Sequence, residues 1–291
     1  MATVTQWVAG ARPRTLPSSV VPVVVGTAAA FGVGALVWWK AGLAMLVALA
    51  LQVGVNYAND YSDGVRGTDD DRVGPFRMTG SGAAPPRQVL TAAWATFAVG
   101  AAAGIVLVVT SAWWLLLVGA AAILAAWYYT GGKSPYGYRA LGEASVFVFF
   151  GPVAVVGTVF VQTAPDGVPG RAWLAGAAVG LLICAMLVIN NLRDIPTDAE
   201  SGKRTLAVVL GDTRTRALYV GTIVGAVLLA MVSLLPSWWS LSLLLVVPFA
   251  LAPVSVIWRG ETGRALIPAL GQTGRLQLVF GVLYSVGLAL A

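Results

Sequence analysis

The stretch NYANDYSDGVRGTDDDR begins at Asn56, and NNLRDIPTDAESGKR begins at Asn190. Each holds an Asn followed four residues later by an Asp: Asn56 with Asp60, and Asn190 with Asp194, with Asp63 and Asp198 further on. On a helix a spacing of four puts two side chains on one face, about one turn apart. Each acidic group runs into a glycine-containing basic stretch, with Arg66 and Arg72 in the first and Lys203 and Arg204 in the second. Carboxylates beside cations suit a diphosphate carried with a divalent metal. Mg2+ takes oxygen ligands, usually one or two carboxylates plus phosphate oxygens and water, and Mn2+ shares that ligand type. Arg and Lys neutralise the phosphate oxygens left over. The expected metal ligands are Asn56, Asp60, Asp63, Asp194 and Asp198. Arg66, Arg72, Lys133, Arg139, Arg193, Lys203 and Arg204 are the expected neighbours of the diphosphate.

The elements that position these groups follow from composition. Of 291 residues 58% are hydrophobic and 10% charged, against roughly 45–50% and 25% in soluble domains, so the chain is read as an all-α integral membrane protein. It has no histidine, which removes imidazole catalysis and most zinc sites. The single Cys184 can form no internal disulfide and reads as a small core residue. A span needs about 20 apolar residues. That rule gives nine, at roughly 17–37, 41–60, 88–110, 112–130, 143–163, 172–193, 215–234, 238–258 and 274–291. Of 18 Lys and Arg, only Lys40 and Arg171 fall opposite the N-terminus. The excess of positive charge therefore predicts a cytoplasmic N-terminus, with both acidic loops on that side. A net charge of +6 then reflects orientation and anionic lipid, and no basic stripe points to nucleic acid.

Eight of the twelve acids lie after spans two and six. An Asp at the centre of a spanning helix costs roughly 2.5–3.5 kcal/mol on insertion scales, so these groups belong where helices open into aqueous loops. The repeated pattern reads as one membrane domain, 1–291, of two pseudo-repeated halves with acidic loops at 56–71 and 190–204. Pro196 biases Ile195 away from helix and predicts a break before Asp198. Lys133 and Arg139, in the loop after span four, suit a diphosphate or an acceptor carboxylate as well as they suit a positive anchor. Asn59, Asp69, Asn190, Tyr129 and Glu143 are further candidates. Trp127, Tyr128, Tyr129, Phe147 and Phe149 are expected to wall an intramembrane cavity in which aromatic faces steady a cation. The glycine-rich loop 64–87 is read as a lid or as a plain mobile connection.

NYANDYSDGVRGTDDDR and NNLRDIPTDAESGKRTLAVVLGD resemble the two aspartate-rich motifs of the UbiA superfamily of intramembrane prenyltransferases. The entry ARPRTLPSSVVPVVVGT, the loop YTGGKSPYGYRALGE and the run GKRTLAVVLG extend the likeness to nearly the whole chain, and are most similar to its naphthoate-accepting branch. The resemblance implies a nine-span UbiA-type bundle in a bacterial plasma membrane. It also implies Mg2+, a polyprenyl diphosphate donor and a 1,4-dihydroxy-2-naphthoate acceptor. Prenyl transfer with loss of CO2 and diphosphate would give demethylmenaquinone, for menaquinone biosynthesis. Asp60, Asp63, Asp194, Asp198 and Lys133 would carry the catalysis. Many hydroxybenzoate-type relatives have an Asp four residues after Asp63, where this chain has Gly67. If CO2 leaves from the attacked carbon, no strong base is needed there, in keeping with the missing histidine, and the phenol proton passes to a carboxylate or to the diphosphate. A sibling enzyme using 4-hydroxybenzoate, and a transporter, are the alternatives; transporters place ionisable groups at the bilayer midplane, where these spans carry none.

Overall fold

Hydrocarbon offers the backbone no water to bond with, so a spanning chain must close its hydrogen bonds within itself. The computed structural model describes residues 2–67 and 76–291, and among them the chain forms eleven α-helices, several 3-10 segments and one π-turn, with no β-strand. They are α1 (Val4–Gly10), α2 (Pro17–Phe31), α3 (Trp38–Arg66), α4 (Pro86–Thr110), α5 (Leu115–Tyr128), α6 (Gly142–Val148), α7 (Ala154–Thr163), α8 (Gly170–Glu200), α9 (Leu206–Ser233), α10 (Val247–Trp258) and α11 (Ile267–Leu290). A π-turn over Phe149–Val153, containing Pro152, joins α6 to α7 into one rod. Among the described residues seven rods are long and apolar enough to cross a membrane, and eight if the bent pair Val4–Thr15 and Pro17–Phe31 counts as one. The other expected span is α5, apolar but only 14 residues long. At about 1.5 Å per residue it falls short of a hydrocarbon layer of about 30 Å.

Helix α8 is the axis of the bundle, with 72% of its most apolar window buried inside the protein. It packs along α9 and against α6, α7, α11 and α2, while α3 pairs with α4. Lipid tails are as apolar as leucine, so close packing rather than water exclusion must hold such helices together. Gly151 shows it: a Cβ there would sit 2.5 Å from the Gly176 carbonyl oxygen and 2.8 Å from the Gly180 Cα. The Tyr219 hydroxyl meets Thr273 Oγ1 at 2.7 Å, and the Tyr284 hydroxyl meets Ser233 Oγ at 2.5 Å, so both of these buried tyrosine tips are satisfied.

The two helices that carry the acidic motifs end differently. Gly67, at φ +73°, closes α3 in the left-handed conformation, its N–H turned back to the Asp63 and Gly64 carbonyls. An L side chain there would be strained. Helix α8 does not break at Pro196 as expected; it runs through to Glu200. Proline removes one helical hydrogen bond, but the turn beyond it is held by Thr197 Oγ1 donating to Asp194 O and by Ser201 Oγ donating to Asp198 O, both at 3.1 Å. Asp194 and Asp198 therefore share one continuous helix and one face.

Candidate active site

Helices α3 and α8 deliver their acidic ends to one place. Lys203 Nζ lies 3.8 Å from Asp63 Oδ2 and 3.9 Å from Asp198 Oδ1, so one ammonium bridges the two motifs. The side chains of Asp63, Asp198 and Lys203 are all at least nine-tenths buried. Asp63 Oδ1 also accepts the Tyr138 hydroxyl at 2.7 Å, and Arg77 Nη2 approaches its Oδ2 at 3.4 Å. The Tyr138 ring lies under Lys203, 4.7 Å from its centroid, and under Arg66 at 5.6 Å. Between Tyr138 and Lys203 the backbone closes the junction: the Arg204 N–H donates to the Tyr138 carbonyl at 3.1 Å, and Arg139 and Arg204 align side by side. Three segments remote in sequence thus meet at Asp63.

The other two motif acids are held differently. Asp60 accepts the backbone N–H groups of Met78 and Thr79 at 2.7 and 2.9 Å and is fully buried. This pins the return limb of the loop onto α3 and sets Arg77 beside Asp63. Asp194 takes a two-pronged contact from its neighbour Arg193, both arms at 2.7 Å. Among the described residues no three acidic, histidine or cysteine side chains converge to hold a metal unaided. Mg2+ does not require that, being held typically by one or two carboxylates with substrate phosphate oxygens. Asp63 and Asp198, all-oxygen donors within reach of one cation, fit such a set.

The remaining predicted residues divide. Asn56 is engaged at both ends of its amide: its Nδ2 donates to Ala11 O and Thr15 Oγ1, and its oxygen accepts from Gln52. It ties α3 to the N-terminal segment, a turn below Asp60. Asn59 accepts from Thr130 Oγ1 at 2.6 Å, and Asn190 donates to Met186 O within its own helix. Arg66 donates to the carbonyls of Thr130 and Gly132, fastening the end of α3 to the loop after α5. Lys133, Arg139 and Arg204 are exposed. Asp69 and Arg72, with part of the expected lid, lie outside the described residues.

Beside this junction is a cavity of about 520 Å³, walled by α2, α3, α4, α5 and the α6–α7 rod. It is apolar over most of its surface, with Gln52, Asn56, Asn59, Tyr129 and Tyr136 among its polar lining. Of the five expected aromatics, Tyr129 and Phe149 line it. Trp127 instead stacks on Trp94 at 4.8 Å, Tyr128 is half exposed, and Phe147 packs against Gly180. The buried Tyr129 hydroxyl sits against the first turn of α6, in the negative field of Glu143, Asp63 and Asp198. In the loop after α5, burial raises the Tyr136 phenol above its ordinary pKa, and its hydroxyl contacts Ala125 O and Ser145 Oγ. Tyr129 therefore stands between the cavity, Glu143 and the two acidic motifs.

Sequence reasoning missed Arg77, Tyr138 and Asn191. Arg77 lies in a loop whose return path only the Asp60 contacts reveal. Tyr138 is indistinguishable by pattern from Tyr136, two residues earlier. Asn191 donates to Glu143 Oε1 at 2.8 Å, a contact between helices that no spacing announces.

Two acidic helix ends meeting beside a largely apolar cavity, in a bundle of helices long and apolar enough to cross a membrane, define a polytopic membrane protein, and this chain belongs to the UbiA prenyltransferase family, whose profile it matches over residues 19–266. It is 55% identical, over 99% of its own length and 98% of the other's, to the 1,4-dihydroxy-2-naphthoate octaprenyltransferase of Mycobacterium tuberculosis. Its fold matches a solved UbiA homolog from Aeropyrum pernix K1 with a TM-score of 0.72, at 18% identity over 94% of this chain and 96% of that one. A UbiA homolog from Archaeoglobus fulgidus solved with DMAPP and Mg2+ matches with a TM-score of 0.66, at 16% identity over 98% and 100%.

Proposed function

We propose that this chain transfers a polyprenyl group from polyprenyl diphosphate to 1,4-dihydroxy-2-naphthoate, with loss of CO2 and diphosphate, giving demethylmenaquinol, the hydroquinone form of demethylmenaquinone. The observation that carries the reaction class is the meeting of Asp63 and Asp198 at Lys203 beside a largely apolar cavity. The acceptor follows from the full-length likeness to the M. tuberculosis enzyme.

In this reading the prenyl tail lies in the cavity and the diphosphate at the junction of the two motifs. Asp60, Asp63, Asp194 and Asp198 are the residues that would hold Mg2+, with Mn2+ as a substitute. Asn56 joins them only by giving up its bond to Gln52. Bound Mg2+ would neutralise the diphosphate and favour its departure. Lys203, Arg77 and Arg66 supply fixed positive charge where negative charge grows on the leaving group. Exposed Lys133, Arg139 and Arg204 draw the diphosphate in from water. The apolar walls keep the allylic cation away from water while the naphthoate ring attacks it. The solved A. fulgidus homolog, bound to DMAPP and Mg2+, supports the metal and the donor class. Nine spans with the N-terminus and both motifs on the cytoplasmic side of a bacterial plasma membrane complete the reading, α5 and the bent α1–α2 pair making up the count.

The test is a competition assay on detergent-purified protein with a polyprenyl diphosphate, Mg2+, 1,4-dihydroxy-2-naphthoate and 4-hydroxybenzoate, products read by mass. A prenylated naphthalene lacking the carboxyl group is expected. A prenylated hydroxybenzoate in its place would overturn the acceptor, and no product from either would overturn the activity.

A further inference from the structure

Each buried carboxylate of the two motifs has strong donors against it: Lys203, Arg77 and Tyr138 for Asp63, Arg193 for Asp194, Lys203 for Asp198, and two backbone N–H groups for Asp60. Glu143, at the first turn of α6, is unlike them. It is 8% exposed, its Oε1 is held by the neutral Asn191 amide at 2.8 Å, and its buried Oε2 has no hydrogen-bond partner. A buried carboxylate oxygen without a partner forgoes the hydrogen bonds it would make in water, so in a native protein such a group calls for an explanation of its own. Its surroundings fix it in place. Cys184 Sγ donates to the Glu143 carbonyl at 3.2 Å, and a Cβ on the preceding Gly142 would lie 3.2 Å from the Tyr129 hydroxyl. Glu143 stands just behind the cavity wall, which Ser145, two residues on, lines beside Tyr129 and Tyr136.

We propose that Glu143 is the catalytic proton acceptor for the ring hydroxyl of the aromatic acceptor, held in position by Asn191; the inference rests on the function proposed above. When the ring carbon bearing the carboxylate forms its bond to the allylic carbon, the electron pair comes from the ring. The hydroxyl oxygen becomes a ketone, and its proton passes to Glu143 Oε2. The C–O bonding pair of the donor leaves with the diphosphate. The product of that step is a β-keto carboxylate. Its C–C bond to the carboxylate breaks, CO2 departs, and the pair left behind restores the aromatic ring as a naphtholate. That oxygen takes its proton back from Glu143. The residue thus ends each cycle as it began, and no other acid or base is needed, in a chain that has no histidine.

The full-length protein is compared with Glu143→Gln, Glu143→Asp and Glu143→Ala, with thermal unfolding measured on each. Glutamine keeps the shape and the Asn191 contact, so a purely structural glutamate predicts near-parental turnover. The proton role predicts a fall in kcat of about 100-fold or more for Gln, an unchanged KM for the prenyl donor, partial activity in Asp, and recovery of the Ala variant on adding formate. Gln within a few-fold of the parent, or an Ala variant that formate leaves inactive, overturns the inference while the parent's product still upholds the function. A parent that forms no prenylated naphthalene overturns both.

Discussion

Lys203 Nζ stands 3.8 Å from Asp63 Oδ2, joining the loop after α8 to the end of α3, and it reaches Asp198 at 3.9 Å from the same position. Its side chain is 10% exposed, so solvent screens these contacts little. Removing one partner of a buried ion pair typically costs about 3–5 kcal/mol, and Asp63 keeps Arg77 and Tyr138 when Lys203 is lost, which holds the cost toward the low end. Lys203→Met removes the ammonium that Asp63 and Asp198 share. Its thermal unfolding temperature is expected to fall well below the parent's in EDTA, and, on the proposal that Mg2+ is held by the same oxygens, the gap is expected to narrow in millimolar Mg2+. Equal gaps in both conditions would show that Asp63 and Asp198 do not share a cation site.

Asp60 and Asp194 separate ligation from architecture. Asp60→Asn keeps one oxygen for the backbone N–H groups of Met78 and Thr79, and Asp194→Asn keeps one for Arg193. Both variants are expected to fold and to lose turnover. Asp60→Ala should in addition lower stability, since each buried N–H left without an acceptor costs about 1–3 kcal/mol. Full activity in a folded Asn variant would sink the two-motif site.

These sites were legible in sequence to the extent that they depend on helix spacing. Asp60 with Asp63, and Asp194 with Asp198, are fixed by periods of three and four, and the pairing of acid with downstream base put Lys203 among the candidates; the structure sets it between Asp63 and Asp198. What spacing does not carry is the path of a loop. Arg77 reaches Asp63 only because Asp60 captures the backbone on either side of Met78, and Tyr138 only because its carbonyl pairs with Arg204. Local propensity also misled at Pro196, where two hydroxyl-to-carbonyl bonds carry α8 onward. Among the aromatics at the end of α5, Tyr129 faces the cavity and Trp127 does not, because successive residues turn by about 100° on a helix. Composition sees an aromatic cluster; only packing assigns its faces.

Metal removal distinguishes the all-oxygen donor set from a purely basic anion site. Dialysis against EDTA is expected to abolish prenyl transfer. Mg2+ should restore it, and Mn2+ should too, since both favour carboxylate and phosphate oxygens. Turnover that survives EDTA would assign diphosphate binding to Lys203, Arg77 and Arg66 alone.

Helix packing sets the seat of Glu143. The rod that begins at α6 lies on α8 through Gly151, whose added Cβ would meet the Gly176 carbonyl oxygen at 2.5 Å and the Gly180 Cα at 2.8 Å. Both are backbone atoms that cannot rotate away, so Gly151→Ala must push the rod off α8. Overpacking of this kind costs about 1–3 kcal/mol. The same displacement stretches the 2.8 Å bond between Asn191 and Glu143, which spans the same pair of helices. Gly151→Ala is therefore expected to lower both the unfolding temperature and kcat. Gly221→Ala, on the exposed side of α9 with nothing within 4 Å of its Cβ, should change neither by much. If Gly151→Ala unfolds earlier yet keeps full kcat, the spacing between α6 and α8 does not control the chemistry, and Glu143 is not held to its task by Asn191.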